Sequence, residues 1–223
     1  MIRNSVESIN LVEVLRDALA DDAIGRIASG IGAPVPNVSM AADRLAGVLV
    51  AVVAKGATTS QGLDALIDLM RTSGFDGRRS PPLVEGSPVG LSLIDLVTRG
   101  LPIAARLLGG RRTAVVDWIA SIAALDRRSA SALLALMAPL ALHVVGRQAR
   151  RFGGLSEPVL AELLRREIGR LRGTAPDDLA AAFGWIDLSG AVVTGVPATA
   201  ASTTAPWRWL RWSAPRSPWQ RFS

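Results

Sequence analysis

The chain has no cysteine and no tyrosine, only four phenylalanines, and a single histidine, His143, in 223 residues. Without cysteine there can be no disulfide, no thiolate nucleophile and no Cys-ligated metal. With one histidine, no His pair can hold a metal and no relay can use a second imidazole. His143 lies in a long apolar stretch, where it reads as a partly buried or helix-boundary residue with one hydrogen bond. A catalytic role would need a carboxylate beside it, and the sequence places none there. Phosphate-binding loops are also missing: no Gly-rich segment ends in Gly-Lys-Ser/Thr, and no Gly-x-Gly-x-x-Gly follows a strand. No stretch sustains the strict alternation of a strand. No cofactor, metal or recognised nucleic-acid motif is expected.

Two further absences bear on location. The N-terminus, Met1 to Glu7, lacks the apolar run and small-residue cleavage site of a signal peptide. The longest nearly charge-free run, Ala130 to Gly146, contains Pro139 and His143 and falls short of the ~20 apolar residues of a membrane span. It reads as a buried core helix. The expectation is a cytoplasmic protein, with peripheral contact at the inner membrane as the way it would meet lipid.

Hydrophobic residues make up 49% of the chain, enough for a packed core. Most are Ala, Leu, Val and Ile, which suit closely spaced helices. The chain also repeats itself 92 residues apart. Ile27-Ala28-Ser29 matches Ile119-Ala120-Ser121, Val52-Val53-Ala54-Lys55 matches Val144-Val145-Gly146-Arg147, and Gly62-Leu63 matches Gly154-Leu155, with no gap between the anchors. Such an echo points to two copies of one helical unit burying their apolar faces together.

Within the first copy, Asn10 caps a short helix to about Ala20, and Asp21 or Asp22 opens a second to Ile31. Asn37 or Ser39 caps a long apolar helix to Lys55. Ser60 opens an amphipathic one that stops before Gly74. Residues 75–90 have linker composition. In the second copy Ser92 begins a helix that Pro102 kinks or restarts, and Thr113 caps one to about Ala124, carrying Trp118 towards the core. Asp126 or Ser129 opens the second long helix. Ser156 caps the last long one, with Pro158 in its first turn. Asp177-Asp178 caps a short helix ending near Trp185. Both acid pairs are read as caps rather than acid–base groups.

The predicted fold is an all-α bundle of two similar multi-helix repeats: repeat 1 over 1–74, a linker over 75–90, and repeat 2 over 91–188, packed as one domain. A flexible linker follows over 189–205, then a Trp/Arg-rich tail over 206–223. The net charge of +6 has two concentrations. One is a candidate basic face of Arg147, Arg150, Arg151, Arg165, Arg166 and Arg170, which by default is a solvated helix surface. The other is the tail, with Trp207, Arg208, Trp209, Arg211, Trp212, Trp219, Arg221 and Phe222. Indoles favour a membrane interface, and each arginine adds about 1 kcal/mol near anionic lipid. A groove on a protein partner would receive the same peptide.

The run Leu133-Leu134-Ala135-Leu136-Met137-Ala138-Pro139-Leu140-Ala141-Leu142, followed by Val144-Val145-Gly146-Arg147-Gln148, resembles the signature of the YidB-like bacterial proteins, a family of uncharacterised function. Ala46-Gly47-Val48-Leu49-Val50 and Ala57-Thr58-Thr59-Ser60-Gln61-Gly62-Leu63 are similar to the family's other half, and the likeness covers residues 10 to 185. It implies an all-helical fold and no assigned activity. Some members continue through a membrane helix into an OmpA-like, peptidoglycan-binding domain. Here only the Trp- and Arg-rich approach to such a span is similar. The reading that follows is a non-enzymatic scaffold or adaptor whose tail anchors it to an anionic membrane surface or docks in a partner's groove. The alternatives are a self-assembling homo-oligomer and an enzyme with a site built from scattered Asp, Glu and Arg.

Overall fold

Asn10 sets the first helix by bonding back onto it: its Oδ1 accepts from the backbone N–H of Val12 and Glu13. The structure, a computed structural model, describes residues 9–19, 21–78 and 92–171. The expected linker beyond Arg78, the Asp177-Asp178 helix and the whole tail lie outside the described residues, which all belong to one compact unit.

Among the described residues every regular element is helical. In chain order they are α1 (Leu11–Asp17), α2 (Asp21–Ile31), α3 (Val35–Gly56), α4 (Ser60–Ser73), α5 (Leu93–Leu108), α6 (Arg112–Ile122), α7 (Arg127–Arg151) and α8 (Glu157–Leu171). A 3-10 turn over Gly109–Arg111 joins α5 to α6. The two long helices, α3 and α7, begin 92 residues apart, the spacing of the sequence echo. The helices around them differ in length, 7 residues in α1 against 16 in α5.

Several boundaries follow the sequence signals. Ser92 and Asp95 form a reciprocal capping box at α5, Thr59 caps α4, and Gly74 at φ 77 ends α4 in the left-handed region. Asp126 caps α7 by accepting from the Ser129 N–H at 2.9 Å. Others differ. α1 stops at Asp17, where the Leu19 N–H turns back to the Arg16 carbonyl. α3 starts at Val35 after Pro34, because Pro36 in its first turn has no N–H to satisfy. Neither Asn37 nor Ser39 caps it; Asn37 Nδ2 donates instead to the Ala124 carbonyl at 3.3 Å. Thr113 lies inside α6, which continues from the 3-10 turn without a side-chain cap. Pro102 and Pro139 sit inside helices that run on through them.

α7 is the axis of the core. Every residue from Leu133 to Gly146 is buried, so the helix is apolar on all sides, the pattern of a segment wrapped by others. α5 packs on it most extensively, then α3 and α6. At the α5 crossing, Gly100 faces the Ala135 backbone so closely that a Cβ would overlap its carbonyl. Both α3 and α7 are long and apolar enough to cross a membrane, with mean hydropathies of 1.5 and 1.8. In this fold protein covers 67% of the most apolar stretch of α3 and 89% of that of α7.

Candidate functional site

The polar groups brought together by the fold concentrate at the C-terminal end of α7. Gly146 has no side chain, so the Asp76–Gly77 backbone lies directly on the helix there, and Gly77 takes a φ of 82. Arg150, one turn further on, donates from Nε to the Asp76 carbonyl at 2.8 Å and from Nη2 to its carboxylate at 2.5 Å. The Arg78 N–H also donates to Asp76 Oδ1. Burial pushes the Asp76 carboxyl up, but these bonds and the two guanidiniums together outweigh it and hold it below the usual carboxylate range. Asp76 therefore clamps the turn after α4 onto α7.

His143 lies one turn inward, only 4% exposed. Burial holds its pKa below the ordinary 6.5, the Arg147 charge adds to that, and Asp76 opposes it. It is a core histidine near a carboxylate already engaged by Arg150 and Arg78.

A fully buried acid, Glu167 on α8, is 1% exposed. Its Oε2 accepts the Leu11 N–H at 3.3 Å and lies 3.6 Å from Arg170 Nη1, so it holds the start of α1 against α8. Its Oε1 is buried without a partner. Burial pushes its pKa up, against the lowering by the Leu11 N–H and Arg170.

The six arginines of the expected basic face sit in different settings. Arg147 and Arg151 are exposed at the end of α7, whereas Arg150 is half-buried on Asp76. Arg165 and Arg166 both bond Glu162 on α8. Arg170, expected to point outward, turns in and donates to the Ile9 carbonyl. Beside it is a groove of about 310 Å³ floored by Ile9, Phe152, Pro158, Val159 and Leu163. Glu162, Arg166 and Arg170 form its rim. A wider groove of about 860 Å³ lies between the end of α2, α5 and the start of α7. There Leu93, Val97 and the 76%-exposed Ile94 stand beside Asp126, Arg128 and Ser129. Trp118 packs partly buried against the core, its Nε1 without a partner. The tail residues Trp207, Arg208, Trp209, Arg211, Trp212, Trp219, Arg221 and Phe222 lie outside the described residues.

Taken with the wrapped central helix, these features define an all-helical protein. The chain belongs to the family described as bacterial protein of unknown function (DUF937), which matches residues 13–148. That is consistent with the YidB-like resemblance. No curated protein and no solved structure matches the chain.

Asp76 and Glu167 were not singled out by sequence reasoning. Asp76 falls in a stretch with loop composition, and its partner Arg150 is 74 residues away. Glu167 had a signal: it lies on the stripe of Leu160, Leu164 and Leu171, at helical spacing among buried positions.

Proposed function

We propose that the protein is a non-enzymatic scaffold or adaptor, whose helical body carries a C-terminal Trp/Arg peptide that anchors it to an anionic membrane surface from the cytoplasmic side. One observation carries the reading of the body. The acids that the fold brings near other polar groups close on structural partners: Asp76 on Arg150, Glu167 on the start of α1, Asp126 on Ser129. The smaller groove, in contrast, offers mainly apolar side chains, and the wider one exposes Ile94 among mixed polar and apolar ones, the kind of apolar exposure that marks a surface for association. The tail reading rests on composition, since four of the six tryptophans fall in the last 17 residues beside arginines with no acid among them.

Deleting residues 206–223 should leave helicity and melting nearly unchanged and abolish co-sedimentation with phosphatidylglycerol vesicles. Undiminished sedimentation of the truncated protein sinks the anchoring reading. Loss of binding to phosphatidylcholine vesicles as well would mark indole insertion rather than charge as the main attraction. A second reading, self-association, is favoured by Ile94, exposed beside Leu93 and Val97 on α5. A monomer by light scattering across the micromolar range rules it out.

A further inference from the structure

The groove beside α8 sets an apolar floor against a rim that carries two arginines. Its floor is Ile9, Phe152, Pro158, Val159 and Leu163, without a polar side chain. Its rim carries Glu162, Arg166 and Arg170: Glu162 bonds both Arg166 and the neighbouring Arg165, and Arg170 donates to the Ile9 carbonyl and lies 3.6 Å from Glu167. Arg151, next to Phe152 in the chain, is exposed. At about 310 Å³ the space is small. An amphipathic helix, about 10–12 Å across, needs a longer trough, whereas a single alkyl chain fits.

We infer that this groove binds the acyl chain of a fatty acid, with the methylenes on Val159, Leu163 and Phe152 and the carboxylate at the Arg166 and Arg170 guanidiniums. Both demands of the ligand are met by different parts of the site. The apolar floor removes methylenes from water, and a guanidinium presents a planar fork of donors that matches a carboxylate. Arg166 already makes this kind of contact with Glu162, so a ligand carboxylate would take up the excess charge left by two arginines on one acid. The inference is independent of the tail: it concerns a small ligand on the body, not a bilayer surface.

The test is titration of the full chain, labelled at its methyl groups and at the tryptophan indole nitrogens for NMR, with dodecanoate below its micellar range. Saturable shifts are expected at Ile9, Val159 and Leu163, with decanoate binding roughly tenfold more weakly because two methylenes are lost. Dodecyltrimethylammonium, with the same tail and the opposite charge, should bind at least ~10-fold more weakly. Arg166→Gln should weaken dodecanoate by about tenfold and leave the melting curve in place, as expected for an exposed charge-assisted contact. Four results overturn the inference: no saturable shifts, shifts confined to Leu93, Ile94 and Val97, shifts confined to the tail indoles, or affinity indifferent to head-group charge and to Arg166→Gln. If residues of the chain itself fill the groove, the first of these is the outcome. The tail indoles report separately on the anchoring reading, so the two can fail independently.

Discussion

α3 and α7 are the two long apolar helices, yet the fold uses them differently. The buried face of α3 is purely apolar, and its other face meets solvent through Asp43, Arg44 and Met40. α7 is wrapped along most of its length and carries Ser129, His143 and Gln148 into the interior. These are the buried polar residues of the described core apart from Glu167 on α8. A helix open on one side can place its polar groups in water. A wrapped one takes them inside: Ser129 Oγ donates to the Ile31 carbonyl at one end, whereas Gln148 Oε1 near the other is buried without a hydrogen-bond partner, beside the point where Arg150 ties Asp76 to the helix. What separates two helices of similar hydropathy is how completely they are covered.

The largest test of that difference is steric. At Gly100 a new Cβ would overlap the backbone of Ala135, and backbone cannot swing aside as a side chain can. Gly100→Ala should therefore push α5 off α7, with a net loss of about 2 kcal/mol despite alanine's better helix propensity. For a domain of this size that lowers Tm by roughly 6 °C. A melting temperature unchanged or raised would mean that the α5–α7 contact is looser than described.

A second test reads the buried polar groups through pH. His143 has its pKa depressed below 6.5, first by burial, so the unfolded chain takes up its proton more readily. Its contribution is present above about pH 6.5 and is lost as pH falls through the folded value. Glu167 acts in the opposite sense. Its pKa is raised above 4.5, first by burial, so its contribution is present below 4.5 and is lost as pH rises through the folded value. The facing charged groups are Arg147 and Asp76 for the histidine, and Arg170 and Glu13 for the glutamate. Between pH 4.5 and 6.5 the two slopes oppose each other. In His143→Leu, chemical denaturation across that window should show stability rising on acidification. In Glu167→Gln it should show stability falling. The lowered Asp76, Asp95 and Asp126 add a loss only below about pH 3.8, outside the window. Parallel profiles in both variants would show that neither group is buried as described.

Much of the fold was legible because it is written in short-range chemistry. Asn10, Ser92 and Asp126 cap helices through bonds to residues two or three positions away, and the apolar periodicity of α4, α7 and α8 is visible in a single window. What stayed hidden depends on residues far apart in sequence. Gly146 and Gly77 matter only because they meet, and Asp76 lies in a stretch that composition marks as loop. Glu167 was masked by its neighbours, since an acid among Arg165, Arg166 and Arg170 looks like one more surface ion pair. The candidate groove drew Arg166 and Arg170 from the expected basic face, but its floor needed Ile9 beside α8, a separation no local pattern reports.

The smallest effect is also the most direct contrast. Gly47 sits in the middle of α3, as Gly100 sits in the middle of α5, and sequence gives no reason to treat them differently. Nothing lies within 4 Å of a Cβ built at Gly47. Without a steric cost, only the backbone term remains: glycine in a helix interior loses more conformational freedom on folding than alanine does. Gly47→Ala should accordingly stabilise the protein by roughly 0.5–1 kcal/mol and raise Tm by about 2 °C. The sign is what matters, because it must be opposite to that of Gly100→Ala. Destabilisation at Gly47 would require something to cover that face of α3, and the natural candidate would then be a second copy of the chain, since no described residue approaches it.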